Sequence, residues 1–241
     1  MIKIKQAVIA AGGFGTRLRP YTDTIPKPML PVLGKPVLAW SVEHFKKYGV
    51  TEFFVALHYL PQVVTDYSGD GSRLGVAMHY FIEKEPLGEA GSLRHFEPLL
   101  DKLFYYIYGD MLTLVDYGKM AAAYAGKDGP IGMERVERQD DHADADVAEL
   151  GPEGRFVAVH AKPHLRKYPN AYRTRGSFIL DKRILAYISA GGQATLNRQV
   201  IPAAIAAGEN FYAYECDEYS KAFDTVEKWR EVEEYLKKHT L

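Results

Sequence analysis

Apolar and polar positions change period repeatedly along the chain. Ile4–Ala10 (IKQAVIA) is a short apolar run that stops at glycines, the pattern of a buried strand. Residues 35–49 (KPVLAWSVEHFKKYG) place Val37, Leu38, Trp40, Ser41 and Phe45 at helical spacing. Pro36 suits the first turn of that helix and Gly49 its C-terminal end. Glu52–Leu57 predicts a second strand, Pro61–Ser68 a short helix and Val76–Ile82 a third strand. Glu89–Leu100 then reads as a helix, and Leu103–Asp110 (LFYYIYGD) as a core strand that runs into a carboxylate. This βα alternation predicts an α/β fold, a doubly wound and mostly parallel sheet with helices on both faces.

The second half is less regular. Strand-like segments flank the acidic stretch Gln139–Asp146 (QDDHADAD), and Gly151–Gly154 is a turn. Arg155–Pro163 and Arg173–Asp181 read as strands around the loop at Pro163–Tyr172. A helix over Leu196–Ala207, a strand over Phe211–Cys216 and a helix over Val226–Lys238 follow. No repeat, low-complexity tract or linker interrupts the chain, so residues 1–241 are expected to form a single domain.

Composition narrows the function classes. The chain has 241 residues, 47% hydrophobic and 25% charged, enough to bury roughly 70–75% of its unfolded surface. A formal net charge of −1 argues against a duplex nucleic-acid partner, which calls for a basic excess. The single cysteine, Cys216, allows no internal disulfide. No stretch approaches the ~20 apolar residues of a membrane span, and the first residues lack a signal-peptide pattern. A soluble cytoplasmic protein is the expectation, with no membrane partner.

Residues 9–35 (IAAGGFGTRLRPYTDTIPKPMLPVLGK) demand another explanation. They hold four glycines, four prolines, two arginines and two lysines directly after the first strand. Glycines there let backbone N–H groups approach an anion, and successive N–H groups make an anion-binding concavity. Gly12, Gly13 and Gly15 supply that, Arg17, Arg19, Lys27 and Lys35 supply positive charge, and the prolines stiffen the loop. A polyphosphate ligand is the natural reading; a basic surface loop is the plain alternative. The dinucleotide fingerprint is only partly matched, because Leu18 stands where a third glycine belongs. The Walker loop fails, because Gly34-Lys35 is followed by Pro36.

The same stretch resembles, almost position for position, the signature of the sugar-1-phosphate nucleotidyltransferases: G-G-x-G-T-R-L-x-P-x-T followed by P-K-P-M-x-P-V-x-G-K-P. Glu85–Leu93 (EPLGEAGSL) is similar to the family's P-L-G-T-A-G segment, and Tyr108–Asp110 to its N-G-D element. Ala161–Pro163 stands where the family has E-K-P, and Lys221–Trp229 is a looser match to W-x-D-I-G-T-P-E-x-Y. The resemblance implies a Rossmann-like, GT-A-like fold with a small sugar-binding β subregion. It implies a nucleotide-binding part over about residues 1–115 and a sugar-phosphate part over about 116–241.

It implies, too, transfer of a nucleoside monophosphate from an NTP to a sugar 1-phosphate, with release of pyrophosphate. The implied nucleotide ligands are Ala11, Gly12, Gly13, Gly15, Thr16, Arg17, Glu83 and Gly88. Arg17 and Lys27 would contact the phosphates, Lys162 would grip the sugar phosphate, and Thr174, Gly176 and Gly109 would line the sugar side. Asp110 and Asp224 would hold Mg²⁺, so that Arg17, Lys27, Asp110 and Lys162 form the catalytic set. The chemistry suits those residue types. A phosphate nucleophile needs no general base, and the obstacle is repulsion between two polyanions, met by positioning and neutralisation.

Each residue also has a plainer reading. Asp110 could cap the helix after its strand, and Asp224 with Glu227 makes a passable capping box. Lys162 could be a solvated loop cation, and His142 within Gln139–Asp146 belongs to an acidic solvated loop rather than a metal cluster. The sequence departs from the family at Ala161 (for glutamate), at Thr174-Arg175 before Gly176 (for N-A) and at Thr225-Val226-Glu227 (for I-G-T). All three departures fall on the sugar side, so a heptose, deoxy, mannose-type or cyclitol phosphate is expected rather than plain glucose 1-phosphate. Glu83 stands where pyrimidine-specific relatives carry glutamine. A carboxylate only accepts hydrogen bonds, and guanine offers two adjacent donor groups, so GTP is favoured over UTP, dTTP or CTP. A catalytically silent NDP-sugar-binding homologue and a choline-phosphate cytidylyltransferase are the competing classes. Monomer and homodimer are both left open.

Overall fold

The computed structural model describes residues 2–138, 145–164, 166, 168, 171–189 and 191–239. His142 and the rest of residues 139–144 lie outside these. In chain order the elements begin with β1 (Gln6–Ala10), β2 (Pro31–Val32), β3 (Lys35–Pro36), α1 (Val37–Lys46), β4 (Glu52–Leu57), α2 (Pro61–Ser68) and β5 (Ala77–Ile82). Next come α3 (Gly88–Gly91), α4 (Leu93–Phe96), β6 (Leu103–Tyr108), β7 (Met111–Thr113), α5 (Tyr117–Ala125), β8 (Pro130–Glu137) and β9 (Val147–Leu150). β10 (Phe156–His160), β11 (Ala171–Asp181), α6 (Ile201–Ala206), β12 (Asn210–Glu215), β13 (Ser220–Ala222) and α7 (Val226–His239) complete the described chain.

The α/β class expected from the alternation is the class observed. The chain forms two compact units that do not follow chain order: Lys5–Pro86 with Ile107–Val115 and Glu218–Leu241, and Met1–Ile4 with Leu87–Tyr106 and Asp116–Asp217. In the first, β1 pairs β4 and β4 pairs β5, all parallel, with Val8 opposite Phe54 and Phe54 opposite His79. Val8, Phe53, Phe54 and Val55 are fully buried, because a strand covered on both faces has no polar side to show. α1 lays Val37, Leu38, Val42 and Phe45 into the core, and its His44 bonds the Val115 carbonyl at 2.8 Å.

The second unit is richer in antiparallel pairing. β10 pairs β9, β9 pairs β11 and β11 pairs β8, all antiparallel, while β12 joins β8 in parallel. Its core includes Phe156 against Phe211 and Tyr106 against Phe178. Between Thr174 and Phe178 the β11–β8 register slips, so Gly176 is an inward bulge at φ 65°.

Two expected helices are corrected. Residues 89–100 do not form one helix: two single turns, α3 and α4, stand there instead. The Ala90 N–H donates to the Ala194 carbonyl at 2.9 Å, which ties the first turn to a neighbouring segment. Residues 196–207 begin as a π-turn over Leu196–Val200 and become α-helical only at Ile201. Pro202 has no N–H to give the Arg198 carbonyl, and its ring crowds that carbonyl; the wider turn relieves both.

Candidate active site

In the first unit β1 ends at Ala10 and the chain turns at once, with Ala11 N–H on the Ala56 carbonyl at 2.8 Å. Gly15 then adopts φ 67°, and a Cβ there would stand 2.9 Å from Thr22 Cγ2. The Thr22 hydroxyl donates to the Gly15 carbonyl at 2.8 Å and closes the turn. Gly15→Ala is therefore expected to lower stability by about 1–3 kcal/mol, read as a fall in the thermal midpoint. Three 3₁₀ turns follow, over Thr16–Leu18, Tyr21–Asp23 and Lys27–Met29, so the prolines make a folded loop rather than a slack one. Leu18, Leu30 and Val32 anchor it in a cluster with Val37, Leu112, Phe223, Val232 and Leu236. Trp229 of α7 donates to the Pro31 carbonyl at 3.0 Å.

That anchoring sorts the four loop cations. Lys35 pairs Glu43 at 2.6 Å and lies over the Trp40 ring, and Arg19 pairs Asp23 at 3.3 Å. Lys27 and Arg17 reach the two aspartates instead. Lys27 Nζ stands 3.0 Å from Asp110 Oδ2, and Arg17 Nη1 stands 2.6 Å from Asp224 Oδ2. Lys27 is largely buried, while the Arg17 side chain is 66% exposed and so is displayed to solvent.

The two aspartates are placed by one small sheet. β7 and β13 pair antiparallel with Met111 opposite Ala222, and Phe223 N–H donates to the Asp110 carbonyl at 3.0 Å. Asp110 and Asp224 therefore flank the same end of a two-stranded ribbon although 114 positions separate them (224 − 110). Neither serves as a helix cap. Asp116 caps α5, accepting from Lys119 N–H at 3.0 Å, and the Thr225 hydroxyl faces Lys228 N–H at the start of α7. Lys228 Nζ instead makes a second ion pair with Asp224, at 2.9 Å. Burial pushes the Asp224 carboxyl up, but the bond to Lys228 and the charges of Lys228 and Arg17 outweigh it and hold the group below the usual carboxylate range.

The other expected nucleotide residues of this unit lie close by. A Cβ on Gly12 would stand 3.3 Å from Glu83 Oε2, so the buried Glu83 carboxylate borders the glycine turn. Its carbonyl accepts or faces His58 Nδ1 at 2.9 Å, depending on the tautomer. Gly13 has open space on its Cβ side, and Thr16 is exposed at the head of the first 3₁₀ turn. Gly109, expected on the sugar side, belongs to this unit, and its N–H is committed to the Ala10 carbonyl at 2.7 Å.

Gly88, Lys162, Thr174 and Gly176 belong to the second unit. Gly88 admits no side chain: the Ala194 carbonyl oxygen lies 2.5 Å from where a Cβ would stand. Lys162 is exposed, and its backbone N–H donates to Asp146 Oδ1 at 2.9 Å. Thr174 bonds the Asp146 carbonyl through both N–H (3.0 Å) and hydroxyl (3.1 Å). Gly176 N–H and Arg175 N–H converge on Glu134 Oε1 at 3.0 and 3.1 Å.

Sequence reasoning missed Glu134, which has no exposed surface and also accepts from Asn197 at 3.2 Å. Its signal was a carboxylate between Met133 and Val136 on a strand whose run Ile131–Val136 is wholly buried. Burial pushes that carboxyl up to about 8, against which its bonds from Gly176, Asn197 and Arg175 work only partly. Asp146, read as part of a solvated acidic loop, is instead mostly buried and gripped by Arg198.

A glycine turn, an exposed arginine, a largely buried lysine and two carboxylates at one end of a ribbon thus stand in one α/β unit. The chain matches the family described as Nucleotidyl transferase over residues 6–233, and it belongs to that family. It is 29% identical over 226 residues to the UTP–glucose-1-phosphate uridylyltransferase of Synechocystis sp., covering 88% of this chain and 58% of that protein. It is equally 29% identical over 223 residues to the mannose-1-phosphate guanylyltransferase of Mycobacterium tuberculosis, covering 92% of this chain and 61% of that one. The chain thus spans about three fifths of the length of these curated relatives. Among solved structures, HddC from Yersinia pseudotuberculosis has the same fold, with a TM-score of 0.80 at 22% identity over 97% of this chain and 100% of that chain. No helix among the described residues is long and apolar enough to cross a membrane.

Proposed function

We propose that this chain transfers a nucleoside monophosphate from an NTP to a sugar 1-phosphate. A sugar-phosphate oxygen attacks the α-phosphorus, the bond from that phosphorus to the bridging oxygen of the β-phosphate breaks, and pyrophosphate leaves. The observation that carries the reading is the pairing of Lys27 with Asp110 and of Arg17 with Asp224 beside the glycine turn. Arg17 can fork onto two phosphate oxygens, Lys27 acts as a point charge, and the Gly12–Gly15 backbone cradles the triphosphate. Lys162 and the Thr174–Gly176 backbone take the sugar phosphate and sugar.

Mg²⁺ fits the donor set. Asp110 and Asp224 are hard oxygen donors flanking the same end of two paired strands, and Mg²⁺ characteristically uses one or two carboxylates together with substrate phosphates. Among the described residues no cluster of three or more His, Cys, Asp or Glu competes for a metal. When bound, the ion would neutralise phosphate charge and stabilise the departing pyrophosphate. Asp110 and Asp224 would hold the ion, and Lys27 and Arg17 beside them would meet the phosphates.

GTP is the favoured donor. Relatives at the same identity are named for GTP-type and UTP-type reactions, so the preference rests on Glu83, an acceptor-only group bordering the nucleotide turn. With the four NTPs and a mannose- or heptose-type 1-phosphate, pyrophosphate release should be fastest with GTP. A clear preference for UTP, CTP or dTTP would overturn this assignment and leave the reaction class standing. The acceptor is a heptose, deoxy, mannose-type or cyclitol phosphate, because Ala161, Thr174-Arg175 and Thr225-Glu227 all depart from the family on the sugar side. Comparable turnover of glucose 1-phosphate would count against that.

A further inference from the structure

The π-turn at Leu196–Val200 sets two consecutive side chains against two different carboxylates. Asn197, almost wholly buried, donates through Nδ2 to Glu134 Oε1 at 3.2 Å. Arg198 forks onto Asp146, with Nε on Oδ2 and Nη2 on Oδ1, each at 3.0 Å. Both carboxylates pass that anchorage on. Glu134 Oε1 receives the N–H groups of Arg175 and Gly176, and Asp146 receives Lys162 N–H on its side chain and Thr174 on its carbonyl. Four residues from two separate segments thus hang on one irregular helical turn. A π-turn costs regular hydrogen bonding and recurs at functional sites. Ala161 supplies no carboxylate to the A-K-P segment, and Asp146 is the carboxylate that stands at that peptide instead.

We propose that Asn197 and Arg198 are positioning residues for the acceptor: through Glu134 and Asp146 they set where Lys162 and the Thr174–Gly176 backbone stand. This rests on reading those residues as the sugar-phosphate grip. The pair touches no reacting atom; its contribution is geometric. A displacement of about 1 Å in a positioning group can cost on the order of 100-fold in rate.

The test compares Arg198→Met with Arg198→Lys, and Asp146→Asn as a second variant, in the full chain. Arg198 is half-exposed, so its replacement leaves the core intact. Arg198→Met should raise KM for the sugar 1-phosphate roughly 10-fold or more while KM for the NTP moves less than about twofold. Arg198→Lys keeps the charge without the fork and should recover part of the loss. Amide exchange at Lys162 and Thr174 should quicken in Arg198→Met and Asp146→Asn. Equal changes in both KM values, or no recovery with lysine, would overturn the proposal. If wild type turns over no sugar 1-phosphate, the functional reading fails, and amide exchange still judges the frame: unchanged exchange in both variants sinks it.

Discussion

Lys27→Met is expected to lower turnover by roughly 100- to 1,000-fold while the chain stays folded, and Asp110→Asn to do the same. Methionine keeps the length and apolar stem of Lys27 and removes only the charge. In a reaction between two polyanions that charge cannot be replaced by water, because Lys27 is largely buried and held 3.0 Å from Asp110. Asp110→Asn keeps the shape and loses the hard anionic donor, so turnover should become harder to saturate with Mg²⁺. The two residues touch, so the double variant should fall well short of the sum of the singles in free energy. Arg17→Ala should weaken turnover with almost no change in thermal midpoint, because the Arg17 side chain is displayed to solvent and exposed ion pairs stabilise little. Initial rates of pyrophosphate release, with circular dichroism for folding, measure all of these.

Glu134→Gln is expected to stabilise the chain at pH 7–8 and to make little difference near pH 4. Burial raises the folded-state Glu134 carboxyl from its ordinary value of 4.5 to about 8. A group raised in this way supports folding fully below the unfolded value. That support is lost as the pH climbs through the window from 4.5 to about 8, because the folded chain must take up a proton that the unfolded chain has released. Glutamine keeps an acceptor oxygen for Arg175, Gly176 and Asn197 and carries no charge to neutralise. The gain at pH 7 should be on the order of 3 kcal/mol, each pH unit above 4.5 in the window being worth about 1.4 kcal/mol. Urea unfolding of both proteins at pH 4, 6 and 8 should give curves that diverge upward in pH; a constant offset would contradict the account.

Where local chemistry decides an element, the sequence was legible. The strands at 52–57 and 103–108 and the helix at 61–68 lie where their patterns put them, since apolar runs and turn residues act at short range. The glycine loop was legible because Gly15 needs a backbone angle that other residues resist. What could not be read was pairing at long range. Nothing near Asp110 announces Phe223, and nothing near Glu134 announces Gly176, because a bulge in β11 brings that N–H inward. The π-turn escaped for a related reason: the apolar pattern over Leu196–Ala207 predicts one helix, whereas the Pro202 ring reshapes the turn before it. Asp146 was hidden by composition, one acid in an acidic stretch, and the bonds from Arg198, Lys162 and Thr174 that distinguish it come from distant positions.

The central claim is that one chain joins a nucleotide to a sugar phosphate and expels pyrophosphate. Pyrophosphate should be measured with Mg²⁺ and GTP, first alone and then with each of a panel of sugar 1-phosphates. The account predicts release only when both substrates are present, in equal amount to the NDP-sugar formed. Release without any sugar phosphate, or none with any pairing of the four NTPs and the panel, would contradict it.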